Sequence, residues 1–395
     1  MQDIAQKQMD RARQWLVKDV MPLWIKKGID TANGSFIESI TFEGQPTDIP
    51  RRQMVQARQI YSFTEALRMG AIPRANAEKI LEQSTRFVIK AYSQPSGAFV
   101  HAVDSSGKIS NSDLDLYSQA FALFGLANAF SVVNKPEFRE RALKLLKYLK
   151  AERAVPTGGY TEIKGGKTLY QANPHMHLFE AAIEWMKVDP QTADWKDLAR
   201  EVYTLARERF VDPKTKALAE HFDVNWKPRT EANGFIWEPG HHFEWAWLLR
   251  RYEDLGGANV GTLPLDLYNM ATAHGVDAKT HLTIDEVWSN LQPNKRSSRF
   301  WPQTERIKAA CLLGLSQPKE HQAAFAKAAD QAMGALFRYF ETPLKGLWQD
   351  TLGEDGRFIA QPAKGSSLYH IINAIAEYVN KRPRLDDSAS AYEGH

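Results

Sequence analysis

Residues 238–249 read EPGHHFEWAWLL. The proline suits the first turn of a helix, where the amide hydrogen it lacks would have no partner anyway. Apolar groups then recur at three- and four-residue spacing, with His241, His242 and Glu244 set among aromatics. Similar starts stand at 51, just after Pro50, at 173, in Asn173-Pro174, and at 302, where Pro302 follows Trp301. With 115 and 366 they form a series, 51, 115, 173, 238, 302 and 366, spaced by about 60 residues, the signature of a repeated structural unit.

Between these helices the same periodicity marks six others, at about 5–28, 76–92, 136–151, 192–210, 260–275 and 319–339. The connections leading into the first set share a pattern: GSFIESITFEG from Gly34, GAFVHAVDSSGKIS from Gly97, GGYTEIKGGKTLY from Gly158 and GLWQDTLGEDGRFI from Gly346. Each has an aromatic residue close behind glycine and then alternates around a turn, so short hairpins are expected. Connections within a pair are short. No strongly polar capping repeat closes either end, which favours a ring over an open solenoid. The fold expected is an all-α (α/α)6 barrel with six inner and six outer helices, one domain over residues 1–382. The polar end, PRLDDSASAYEGH at 383–395, reads as a disordered tail.

The inner set is the one that carries unusual polar groups: Arg58, Tyr117, Gln119, Asn173, His177, His241, Glu244, Glu305 and His370. The other set shows ordinary amphipathic faces, as in EFRERALKLLKYLKAER. Many of these groups fall in the first two turns of their helices, so they converge on one mouth. Helix N-termini gathered there add partial positive charge, which suits a reaction that develops negative charge.

Composition limits the alternatives. The 395 residues carry a net charge of +3 with acidic and basic groups interleaved, which argues against a nucleic-acid partner. No stretch reads as a signal peptide or as long and apolar enough to span a membrane. The single cysteine, Cys311 in KAACLLGL, excludes an internal disulfide, reads as a buried thiol and suits a reducing, cytoplasmic setting. Oligomeric state is not legible. The tetrad GGKT at 165–168 lacks the first glycine of a phosphate-binding loop, since Thr161 stands there, and a hairpin rather than a helix follows.

His241 and Glu244 lie three apart, so the carboxylate is placed to hold the imidazole in one tautomer and raise its basicity, as a general base requires. His177 and Glu180 repeat the spacing, while His242 projects about 100° away from His241 and reads as packing. His370 opens the last inner helix beside Tyr369, and ring closure would bring it near Arg58. An arginine at an apolar position needs an anionic partner or ligand; Glu65 and Glu305 are the structural candidates. Trp301, Trp348, Phe99 and Tyr117 offer flat faces for sugar carbon–hydrogen surfaces, with core packing the plainer reading of any one. Metal binding is a rival for the His/Glu pairs, but their order reverses the Glu-x-x-His of dimetal bundles and the bridging carboxylates are not evident, so neither metal nor cofactor is expected.

The blocks RRQMVQARQIYSF, DLYSQAFALF, NPHMHLFEA, PGHHFEWAWLL, RFWPQTERIKAA and LYHIINAIAEY, in this order through residues 1–381, resemble the N-acylglucosamine 2-epimerase superfamily. That resemblance implies an (α/α)6 barrel that isomerises or epimerises a monosaccharide at the carbon next to its carbonyl. It implies His241 and His370 as the acid/base pair, with Glu244 orienting His241. Arg58, Asn173 and His177, with Tyr117, Glu305 and Trp301, would bind the sugar. The blocks are most similar to the mannose-isomerase branch, so interconversion of D-mannose and D-fructose through an enediolate is expected, a mannose 2-epimerase being the alternative. A glycoside hydrolase on this fold would use paired carboxylates rather than histidines. A non-catalytic scaffold would spread exposed aromatics along one face instead of clustering polar groups on alternate helices.

Overall fold

The computed structural model describes residues 2–390. Helices α1 (Gln2–Trp15) and α2 (Met21–Lys27) are joined by a π-helical turn at Leu16–Val20 into one rod. There follow α3 (Gln53–Arg68), α4 (Arg74–Tyr92), α5 (Leu116–Val133), α6 (Pro136–Glu152), α7 (Ala172–Val188), α8 (Ala193–Leu205), α9 (Pro239–Asp254), α10 (Leu263–Gly275), α11 (Trp301–Leu315), α12 (Lys319–Phe337) and α13 (Leu368–Ser390). The α3, α5, α7, α9, α11 and α13 helices pack each on the next, and α13 returns to α3, closing the inner ring. The α1/α2 rod and α4, α6, α8, α10 and α12 form the outer layer against them. This is the expected (α/α)6 barrel.

The connections at one mouth form five small antiparallel sheets, each borrowing strands from more than one connection. Residues 51–52 pair with 102–103, and 167–171 pair with both 162–164 and 221–222. Residues 39–40 pair with 363–364, so the first connection is stitched to the last across the seam of the ring.

A second repeat lies beneath these sheets and explains two of the histidines. Where five of the six connections leave an outer helix they make a single β-bridge, and Phe36, Phe99, Tyr160, Leu218 and Thr283 each belong to one. One side chain near the start of the following inner helix holds that residue's backbone. Gln56 bonds both the N–H (2.7 Å) and the C=O (2.8 Å) of Phe36. Gln119 does the same to Phe99, and Gln303 to Thr283. In the other two repeats histidine occupies the slot: His175 Nε2 accepts from Tyr160 N–H at 2.9 Å and His242 Nε2 from Leu218 N–H at 3.0 Å. Their Nδ1–H groups donate to the carbonyls of Gln171 and Glu238. Because Nε2 must keep its lone pair, both rings stay neutral; burial pushes His175 down to about 4 and His242 to about 3. His242 is therefore structural, as its direction on the helix suggested.

Two features differ from expectation. Helix α5 is long and apolar enough to cross a membrane, with mean hydropathy 1.4, but it is an inner strut of the barrel and 72% buried. Inner helices of a closed ring meet protein on nearly every side, which removes the polar face that would have lowered its hydropathy. Helix α13 runs past residue 382 through Pro383 to Ser390, with Leu385 buried and Arg382 bonded to Asp330 and paired with Asp386; residues 391–395 lie outside the described residues. Trp348 and Phe99 belong to the core, Trp348 stacking on Trp24 at 5.0 Å. Cys311 is buried, and burial raises its thiol pKa far above the ordinary range.

Candidate active site

The N-terminal turns of the inner helices enclose a cavity of about 200 Å³. It is lined by Arg58 from α3, Tyr117 from α5, Asn173 and His177 from α7, Glu238, His241 and Glu244 at the start of α9, Arg299 and Trp301 at α11, and His370 from α13. Eight of these ten were legible in the sequence as candidates; Glu238 and Arg299 were not. Glu305 lies immediately behind the cavity wall, fully buried.

His241 and His370 both contact the indole of Trp301, with ring centroids 5.1 Å and 5.7 Å away. That indole fits only because residue 240 is glycine: a Cβ there would lie 2.5 Å from its six-membered ring. The two imidazoles have similar burial and opposite electrostatics. Burial alone would lower both, but His241 Nδ1 lies 2.9 Å from Glu220 Oε1, and Glu220, aided by Glu238, raises it to about 9. It is an imidazolium at neutral pH. His370 Nδ1 lies 2.9 Å from Glu305 Oε1, yet burial and the nearby cations Arg58 and Lys308 hold it well below the ordinary histidine value. With Nδ1–H donated to Glu305, its Nε2 keeps a free lone pair.

The partner of His241 is thus Glu220, not Glu244. Helical spacing puts Glu244 on the same face, but a carboxylate in the preceding connection reaches the ring first, at residues 221–222 where the chain pairs with 170–171. Glu244 Oε1 is buried with no hydrogen-bond partner. Burial and the nearby Glu305 carboxylate raise its pKa well above the usual range, which keeps it a neutral acid able to donate.

Arg58 has no carboxylate partner among the described residues. Its guanidinium donates to Tyr117 OH at 2.7 Å and to Ser366 O at 3.4 Å, and lies 4.4 Å from the Phe121 ring centroid and 5.0 Å from that of Tyr369. Neither Glu65 nor Glu305 pairs with it: Glu65 pairs with Arg68 and Glu305 with Lys308. A buried cation on aromatic faces, with Nε unpartnered, is suited to an anion that forms in the cavity. His177 Nδ1 bonds Glu180 at 3.1 Å, and Glu180 also accepts from Tyr369 OH; burial brings His177 down to about 4, a neutral ring. Asn173 Oδ1 is without a partner, free for a hydroxyl donor. Arg299 joins Glu238 and Asp285, at 2.8 Å each, and lies 5.2 Å from the Trp301 ring centroid.

Outside the cavity a vestibule shares Tyr117, Asn173 and Glu238 with it and adds Arg52, His101, Asp115, Glu162, Lys164, Glu220 and His221. Arg52 is committed to Glu38, so carboxyl groups outnumber free cations there. Burial and Asp115 push Glu162 up to about 7. Three groups could gather a cation: His177, Glu180 and Glu244; Glu220, Glu238 and His241; Glu244, Glu305 and His370, with ligand atoms within 4.8 Å in each. In every group the histidine Nδ1 is already bonded to a carboxylate, the arrangement that orients an acid/base imidazole.

Comparison with known proteins places the chain among sugar isomerases and epimerases of this fold. The chain is 35% identical over 367 residues to the mannose-6-phosphate isomerase of Rhizobium meliloti (strain 1021), covering 92% of this chain and 94% of the relative. It is 26% identical over 308 residues to the D-mannose isomerase of Thermobifida fusca, covering 69% and 71%. Its fold matches that of cellobiose 2-epimerase from Bacillus thermoamylovorans B4167 with a TM-score of 0.84 at 18% identity, over 94% and 98% of the two chains. The profile of N-acylglucosamine 2-epimerase (GlcNAc 2-epimerase) matches residues 34–374. With six inner helices delivering these side chains to one cavity, the chain belongs to the N-acylglucosamine 2-epimerase family.

Proposed function

We propose that this protein is a cytoplasmic aldose–ketose isomerase that interconverts D-mannose and D-fructose. The observation that carries the reading is the pair of imidazoles against one indole in one cavity, each with its Nδ1 on a buried carboxylate, in surroundings that favour the protonated form of His241 and the neutral form of His370. In the open-chain aldose, His370 Nε2 takes the proton from carbon 2 while His241 delivers a proton to the carbonyl oxygen, giving an enediol. His241 then takes the proton from the oxygen on carbon 2, and His370 returns its proton to carbon 1. Charge developing on the two oxygens is met by Arg58 and by the neutral acid Glu244, with Asn173, His177 and Tyr117 holding the remaining hydroxyls. Glu220 and Glu305 orient the two bases, and Trp301 supports the sugar face. The mechanism needs no metal or cofactor; dialysis against a chelator should leave turnover intact, and restoration of lost turnover by zinc or manganese would refute that.

An uncharged sugar is favoured over a 6-phosphate although one relative is named for the phosphorylated substrate. Of the basic side chains near the mouth, Lys295 pairs with Glu286 and Lys364 with Asp350. Lys164 faces the vestibule among Asp115, Glu162, Glu220 and Glu238. Lys164 is thus the one lining cation of the vestibule that has no ion-pair partner among the described residues, too little to hold a dianion. Turnover of D-mannose and of mannose 6-phosphate measured side by side tests this, a higher kcat/KM for the phosphate being the contrary result.

The runner-up is 2-epimerisation, supported by the second imidazole, which once deprotonated is a base from another direction. Incubation with mannose in deuterated water followed by NMR separates the two. Fructose carrying the exchanged hydrogen on carbon 1 supports the isomerase; glucose without accumulated fructose supports the epimerase.

A further inference from the structure

Lys308 is the only lysine among the described residues that is fully buried. It lies one turn beyond Glu305 on α11, with Nζ 2.6 Å from Glu305 Oε2 and 4.0 Å from the Trp247 ring centroid. The opposite oxygen of Glu305 holds His370 Nδ1. The structure therefore contains a continuous relay, Lys308 to Glu305 to His370. The other imidazole is held differently: among the described residues no lysine or arginine pairs with Glu220, the carboxylate on His241.

Resting on the isomerase reading above, we infer that Lys308 is a positioning residue that decides which of the two histidines serves as the neutral base. A buried carboxylate with no cation behind it and a second carboxylate nearby draws a proton onto its imidazole, as Glu220 and Glu238 do with His241, whereas Glu180, bonded by Tyr369 OH, leaves His177 neutral. A carboxylate already neutralised by an ammonium can still accept the Nδ1–H hydrogen bond, fixing tautomer and ring direction, while leaving Nε2 bare. Both histidines thus have a carboxylate; His241 has a further carboxylate, Glu238, nearby, whereas His370 has the cations Arg58 and Lys308, and of these only Lys308 stands behind the orienting carboxylate. The groups around His370 from every packed element are Arg58 on α3, His177 and Glu180 on α7, Glu244 on α9, Glu305 and Lys308 on α11 and Tyr369 beside it. Glu244 is a neutral acid there, so Glu305 is the carboxylate on His370 and Lys308 its ion-pair partner.

The test is Lys308→Met, followed by ¹⁵N NMR of the histidine side chains and by the pH dependence of kcat/KM on mannose. The result expected is that His370, a neutral Nδ1–H tautomer in the parent, acquires imidazolium character, and that the acid limb of the profile moves up by at least one pH unit. Activity at a pH on that limb then falls about tenfold. Loss of packing alone would leave the titration of His370 where it was, and an unmoved titration with an unmoved acid limb overturns the inference. Should Lys308→Met fail to fold, Lys308→Gln carries the same two readouts and expectations, since it keeps a donor for Glu305 without the charge. His370→Asn separates this from the wider reading: if it retains turnover the isomerase mechanism fails, whereas loss of turnover with an unmoved Lys308→Met profile sinks only the role of Lys308.

Discussion

Replacing Glu220 by glutamine keeps the shape of the side chain and an acceptor for His241 Nδ1, 2.9 Å away, but removes the charge. In the parent, Glu220 leads the groups that raise His241 to about 9 against the lowering effect of burial. If the pKa returns to its ordinary 6.5, the shift of 2.5 units is worth about 3.4 kcal/mol between the two charge states. At pH 8 the protonated fraction would drop from about nine-tenths to about one-thirtieth, so a reaction needing that imidazolium slows roughly 30-fold. At pH 6 most of the loss is recovered. The assay is the alkaline limb of the kcat/KM–pH profile on mannose, which should move down by about 2.5 units. Glu244→Gln is the control, because Glu244 lies on the same helix face and does not bond the ring; its alkaline limb should stay near that of the parent. A Glu220→Gln profile superimposable on the parent, or a Glu244→Gln profile displaced more than it, would refute the assignment of Glu220 as the group that charges His241.

Three further outcomes are expected. Gly240→Ala places a Cβ within 2.5 Å of the Trp301 ring, so the indole must shift and kcat/KM should fall roughly 10- to 100-fold with little change in Tm; unchanged kinetics would show that the indole position is unimportant. Gln119→Ala strips both backbone bonds from Phe99 and should cost about 2–4 kcal/mol in chemical denaturation, a loss below 1 kcal/mol contradicting the slot. His175→Gln, which restores the residue type found at 56, 119 and 303, should be folded at pH 7 and less acid-sensitive. His175 protonates at about 4 when folded and 6.5 when unfolded, so the unfolded chain gains its proton first and stability falls as pH drops below 6.5, by about 2 kcal/mol on reaching pH 5. The variant should lose that increment, and an identical pH dependence would contradict the buried neutral ring.

Much of this was legible in the chain because the repeat is enforced locally. Prolines such as Pro239 and Pro302 open inner helices, and amphipathic outer helices alternate with inner ones that carry the unusual polar groups. Ring closure followed from the lack of polar caps, and it is what brings Arg58 and His370 to one cavity. The missed parts share a cause. Glu220 and Arg299 lie in connections whose direction depends on sheets assembled from several parts of the chain, so no local period marks them. Glu244 was assigned the wrong partner because helical spacing specifies a face, while a loop from elsewhere can supply the nearer carboxylate. His175 and His242 stand where Gln56, Gln119 and Gln303 stand in sister repeats, a correspondence visible only once the backbone bonds reveal a common slot. Helix α5 was placed correctly in the inner ring, but its fitness by length and hydropathy for a membrane span went unnoticed; a strut buried on nearly every side loses its polar stripe.

The central claim is that one histidine in this cavity is charged and the other is a neutral base. The most direct measurement is a ¹H–¹⁵N correlation of the histidine side chains at pH 7.5, with His241→Asn and His370→Asn used for assignment. The account predicts an imidazolium with both ring nitrogens protonated for His241 and a neutral ring bearing its proton on Nδ1 for His370. Two neutral rings, or the charge on His370 instead of His241, would contradict it.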